Sequence, residues 1–102
     1  EIASHVDSMQ GRIDGIAAGS DLIAMNTVRA LADRGISVPG DIAVTGFDDL
    51  PLAEQIIPRL TTISQHIADG AKAMVEALFA RIGGNGAPSV VMQPELIRRD
   101  TA

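Results

Sequence analysis

Residues 42 to 65 read IAVTGFDDLPLAEQIIPRLTTISQ, and this stretch decides the fold. A short apolar run of β type, Ile42-Ala-Val-Thr-Gly46, stops abruptly at Phe47 and two carboxylates, Asp48 and Asp49. Pro51 and Pro58 then bracket a short helical piece, Leu52 to Ile57, and the mostly β-branched Leu60-Thr-Thr-Ile63 reads as a second short strand. The pattern is a buried strand that delivers an acid to the rim of a sheet. In open α/β sheets ligands bind outside the carboxyl ends of the strands, so Asp48 stands where such a fold places its chemistry.

Upstream, Ile13-Asp-Gly-Ile-Ala-Ala18 predicts a short apolar strand with small residues for close packing, and Gly19-Ser20-Asp21 turns the chain. Ser20 or Asp21 can cap the helix that follows, and Asp21 reads better as a cap than as a ligand. That helix runs from about Asp21 to Arg34, with Arg29 and Arg34 toward its negative end and Gly35 at the C′ position. After a turn at Val38-Pro-Gly-Asp41 the chain enters the strand at Ile42. Strand, helix and strand occupy the length of one βαβ unit, whose two strands are parallel. The corners at Ser20 and Asp48 therefore share one rim.

Downstream, Ile67, Ala71, Met74, Val75, Leu78, Phe79 and Ile82 recur at helical spacing and predict a long helix that packs on one face. Gly83-Gly-Asn-Gly86 ends it. This glycine run follows a helix instead of opening one, so it is a terminator and not a phosphate cradle. Val90-Val-Met92 reads as a strand, Pro94 interrupts, and Leu96-Ile97 starts a last short strand. At the other end Ile2, Ala3, Val6 and Met9 have the spacing of a helix tail without an initiating methionine, which points to a fragment.

The totals narrow the function classes. At 102 residues the chain has the length of one small domain. Thirteen acids against eight bases give a formal charge of −5, and no basic run exceeds Arg98-Arg99, so the segment lacks the surface a nucleic-acid module needs. Without cysteine, neither a disulfide framework nor a thiolate metal site can form. No apolar run approaches the roughly 20 residues of a membrane span, and no basic-then-apolar leader opens the stretch. His5 and His66 lack partners at metal spacing and read as surface residues. An acid/base pair of Asp48 and His66 would need a nucleophile that the pattern does not supply. A doubly wound enzyme is disfavoured because neither a nucleophile elbow nor a cofactor loop is present. Asp49 reads as a turn acid.

The ordered combination Ala18-Gly-Ser-Asp21, Arg34-Gly-Ile-Ser-Val-Pro-Gly-Asp-Ile-Ala-Val-Thr-Gly-Phe-Asp-Asp49, Pro58-Arg-Leu-Thr-Thr-Ile63, Gln65 and Pro94-Glu-Leu-Ile-Arg-Arg99 resembles one family. It is the effector-binding core of lactose-repressor/galactose-repressor type transcription regulators. The resemblance implies an α/β fold: a parallel-sheet, three-layer, Rossmann-like arrangement, the periplasmic-binding-protein-like C-terminal subdomain of an incomplete two-lobed core. Residues 1–64 would belong to the C-terminal subdomain. Residues 65–93 would form a crossover, helix and strand of the N-terminal subdomain, and 94–102 the return crossover and tail.

By the same resemblance Asp48, Ser20, Gln65 and Phe47 would contact a small effector, sugar-like, in the cleft between lobes. Met25, Val28, Leu52, Gln55 and Ile56 would pair subunits of a homodimer about a two-fold axis. The resemblance implies no catalytic residue, metal, cofactor or membrane contact, a cytoplasmic location, and DNA binding only through an N-terminal helix-turn-helix that this sequence does not contain. A periplasmic-type solute-binding protein shares the fold, and an upstream export leader instead of a helix-turn-helix would mark it. Arg59 departs from the family pattern, which often has a second proline there.

Overall fold

The computed structural model describes Ser4, Ser8 and residues 11–102. The expected opening helix and His5 lie outside the described residues except for Ser4 and Ser8, both helical. The chain order is β1 (Gly15–Ala17), α1 (Asp21–Ala32), β2 (Ala43–Thr45), a 3-10 turn (Pro51–Glu54), β3 (Thr62–Ser64), α2 (Ile67–Ile82) and β4 (Glu95–Ile97). Helix α1 ends two residues before the expected Arg34, and Gly35 at φ 71° carries the reversal that a side chain with a Cβ resists.

Strands β1 and β2 pair in parallel, with Ile16 opposite Val44, as the βαβ reading requires. The ladder continues on the other edge of β2 through a parallel bridge from Thr45 to Thr61. Strand β3 then pairs antiparallel with β4, Ile63 opposite Leu96. The chain end returns to the same sheet: Val44 N–H donates to Thr101 O at 2.8 Å, and Thr61 N–H donates to the Thr101 hydroxyl at 2.9 Å. Its backbone groups are thus satisfied by the tail as much as by neighbouring strands.

The core lies between α1 and this sheet. Ala24, Val28 and Leu31 from one face of α1 pack with Ile36, Ile42, Val44, Ala53 and Leu60. Burying each large aliphatic side chain contributes about 1.5–3 kcal/mol. Gly46 ends β2 because nothing larger fits: an added Cβ would overlap the Asp21 carboxylate and the Leu60 side chain.

Two expectations need correction here. Helix α2 has the predicted limits but buries no residue, and Met74, Phe79 and Ile82 are 71%, 68% and 72% exposed. Its half-buried side is instead the small-residue stripe Gly70, Ala73, Ala77 and Ala80. The described residues offer α2 no surface broad enough for its larger stripe. The run Val90-Val-Met92 forms no strand, because a strand exists only with a ladder partner and the described residues provide none. Among the described residues no helix is long and apolar enough to cross a membrane.

Candidate functional site

The rim of the parallel pair gathers the two polar corners. Ser20 sits in extended backbone as the N-cap of α1, and its Oγ accepts from Ile23 N–H at 3.3 Å. Asp21 N–H donates to Phe47 O at 2.8 Å, stitching the turn after β1 directly to the turn after β2. Ser20 and Phe47-Asp48 therefore lie side by side at one end of the sheet.

Asp48 leaves β2 with φ 112° and Asp49 follows at 53°, a region that L residues rarely enter. Four contacts hold this turn. Asp48 N–H donates to Ile63 O at 2.9 Å, Asp49 N–H reaches Thr62 Oγ1 at 3.4 Å, and Leu50 N–H donates to Asp21 Oδ2 at 2.7 Å. The Arg99 guanidinium donates to Asp49 Oδ1 at 2.8 Å. With its backbone anchored, the Asp48 carboxylate projects toward Gln65, whose Nε2 donates to Asp48 Oδ1 at 2.9 Å. Gln65 and the half-buried Phe47 border an open cavity of about 580 Å³, otherwise walled by apolar residues of α2 and by Pro88 to Pro94. Phe47, Asp48 and Gln65 thus come together, with Ser20 adjacent.

The arrangement brings together groups that can accept hydrogen bonds from hydroxyls and donate hydrogen bonds to them. An ionised carboxylate offers about four lone-pair positions, of which Gln65 occupies one, so Asp48 retains acceptor capacity for paired hydroxyls. The Ser20 hydroxyl accepts from Ile23 and keeps its proton to donate. The Phe47 ring supplies an apolar wall. Among the described residues no group of three or more His, Cys, Asp or Glu could hold a metal ion. His66 faces Glu95, Nε2 to Oε2 at 3.5 Å.

Asp21 does not cap α1 as expected. Ser20 takes that role, and the fully buried Asp21 carboxylate reaches across to Leu50 N–H and the Thr62 hydroxyl. Asp49 is not a free turn acid, since it pairs with Arg99, whose side chain is only 8% exposed. Burial disfavours the charged form of Arg99, but hydrogen bonds and charge from Asp49 and Glu54 outweigh it and its pKa is raised. Arg59, the departure from the family pattern, grips Asp100 through Nε at 2.8 Å and Nη2 at 3.0 Å. The hydrogen bond to Arg59 holds the Asp100 carboxyl below the usual carboxylate range. A pattern of Asp-Asp and Arg-Arg doublets was the only signal for the first of these ties, and it does not reveal which arginine turns inward.

Of the residues expected at a subunit face, Val28 belongs to the core and Met25 and Ile56 pack half-buried against it. All three border a second open cavity of about 500 Å³. Leu52 and Gln55 are exposed on the adjoining turn.

Comparison with known proteins gives a consistent picture. The family described as periplasmic binding protein-like domain matches residues 2–102. The chain is 34% identical over 101 residues to the lactose operon repressor of Rhizobium radiobacter, covering 98% of this chain and 89% of that one. It is 38% identical over 86 residues to the transcriptional regulator MalR of Streptomyces coelicolor, covering 82% of this chain. It spans about a quarter (25%) of the length of MalR and of the other Streptomyces regulators it matches. A LacI family regulator from Arthrobacter in complex with lactose superposes with a TM-score of 0.88 at 30% identity, over 98% of this chain and 38% of that one. The regulator CelR in complex with cellobiose also gives 0.88 at 30% identity, over 99% and 31%.

Proposed function

Because this chain belongs to the lactose-repressor type of regulators built on the periplasmic binding protein-like domain, we propose that it is the effector-sensing and dimerisation part of a DNA-binding transcriptional regulator. Residues 1–64 form its C-terminal subdomain, 65–93 belong to the N-terminal subdomain, and 94–102 return as the second crossover. The effector is a small sugar-like molecule held between the lobes. Asp48 accepts its paired hydroxyls, Ser20 donates to it, Gln65 at the crossover trades its bond to Asp48 for one to the ligand, and Phe47 covers an apolar face of the ring. The chain performs no catalysis and needs no cofactor.

In the intact regulator, which works in the cytoplasm, a homodimer uses Met25, Leu52, Gln55 and Ile56 at its two-fold face, with Val28 backing them from the core. Ligand shifts the arrangement of lobes and subunits, and so alters how paired DNA-reading heads fit their half-sites. A ligand moves that equilibrium only by its difference in affinity for the two states.

The observation that supports this reading best is the hydrogen bond from Gln65, which borders the cavity, to Asp48, on the rim that Asp21 N–H joins to the Ser20 corner. Calorimetry of the intact regulator with lactose and cellobiose tests it. Asp48→Ala removes charge-assisted hydrogen bonds worth about 1.5–3 kcal/mol each, so affinity falls at least about tenfold. Unchanged affinity would remove Asp48 from the site.

A further inference from the structure

Three of the four anchors of the strained Asp48–Asp49 turn are donated by backbone N–H groups, and the fourth is the buried charge of Arg99. That guanidinium serves more than the turn. The same Nη2 that donates to Asp49 Oδ1 at 2.8 Å donates to Glu54 Oε1 at 3.0 Å, while Nη1 donates to Leu60 O at 2.9 Å. Glu54 closes the 3-10 turn Pro51–Glu54, which carries Leu52 and runs straight into Gln55 and Ile56. One nitrogen is therefore shared by two carboxylates. The first is bonded in sequence to the effector-site acid, and the second stands in the segment of the subunit face.

Resting on the function proposed above, we propose that Arg99 is a positioning residue that links occupancy at Asp48 to the subunit face through Glu54. Its side chain is 8% exposed whereas that of Glu54 is 69% exposed, so the cation cannot exchange a lost partner for water as easily as Glu54 can. A buried charge must keep a carboxylate. When ligand draws Asp48, the left-handed backbone passes the movement to Asp49, and Arg99 rebalances toward Glu54. Lysine could not do this, because only the planar five-donor fork serves Leu60 O and both acids together.

The test uses the intact regulator with lactose and cellobiose as probes. Calorimetry gives sugar affinity, and sedimentation equilibrium gives the dimer dissociation constant with and without sugar. In the wild type, sugar shifts that constant about 5- to 150-fold, the usual range of coupling between sites. Glu54→Gln, which touches none of the effector-site residues, still binds sugar, and in both Glu54→Gln and Arg99→Lys the shift falls toward onefold. A merely structural Arg99 would change the melting temperature and leave the shift intact. Full coupling in Glu54→Gln, or none in the wild type with sugar bound, overturns the link alone. Absence of sugar binding, or binding indifferent to Asp48→Ala, is visible in the calorimeter without any dimer measurement and overturns the effector reading together with the link.

Discussion

Replacing Asp21 by alanine tests the node on which the rim is built. The carboxylate is fully buried and accepts from two groups, the Leu50 N–H at 2.7 Å and the Thr62 hydroxyl. Thr62 is itself fully buried, so neither protein group nor solvent replaces the lost acceptor there, while Leu50 is half-buried. A buried donor left without a partner costs about 1–3 kcal/mol; Thr62 bears that whole range and the half-buried Leu50 N–H its lower end, giving about 2–4 kcal/mol for the two. A further ~0.3–1 kcal/mol goes with the acid in the first turn of α1. Against a typical total stability of about 5–15 kcal/mol this is a large fraction.

Urea denaturation with linear extrapolation measures it, and the melting temperature should fall by at least about 8 °C. Asp21→Asn retains an acceptor and should lie between wild type and alanine. In a Thr62→Val background one of the two donors is already gone, so the alanine penalty should shrink by about 1 kcal/mol or more. An Asp21→Ala cost below about 1 kcal/mol, or strict additivity with Thr62→Val, would refute the reasoning.

Gly46→Ala should destabilise by about 1–3 kcal/mol, because the new Cβ meets the Asp21 carboxylate and Leu60, both fully buried. A melting temperature within about 2 °C of wild type would show that the rim can yield. For the Arg59–Asp100 pair the prediction concerns pH. A carboxylate with a depressed folded-state pKa adds stability above its unfolded value and loses it as pH falls through the folded one. The difference in melting temperature between wild type and Arg59→Gln should therefore be present at neutral pH and close below the ordinary carboxylate range. Both side chains are exposed, so added salt should also narrow it, and a gap that widens in acid would contradict the pairing.

The elements that carry the site were legible because their signals are local. Apolar runs, the Gly35 stop, the Ser20 cap and the helical spacing of Ile67 to Ile82 each depend on residues within a turn or two of one another. Where the reading went astray, the deciding partner was distant or absent. Asp21 reads as a cap because an acid at a helix start usually is one, yet its carboxylate serves groups 29 and 41 residues downstream. Val90-Val-Met92 has strand composition, but composition does not supply a ladder. The large apolar stripe of α2 is real, and its exposure depends on what else the sheet side offers.

By itself the sequence determined that Ser20 and Asp48 open at one rim, since a βαβ unit of this length admits only parallel strands and each corner follows its strand's carboxyl end. Only the tertiary structure decided which side chains meet there. Asp48 finds Gln65 across 17 residues and Asp49 finds Arg99 across 50. Those choices rest on burial and on the reach of single side chains, and neither quantity exists until the chain has folded.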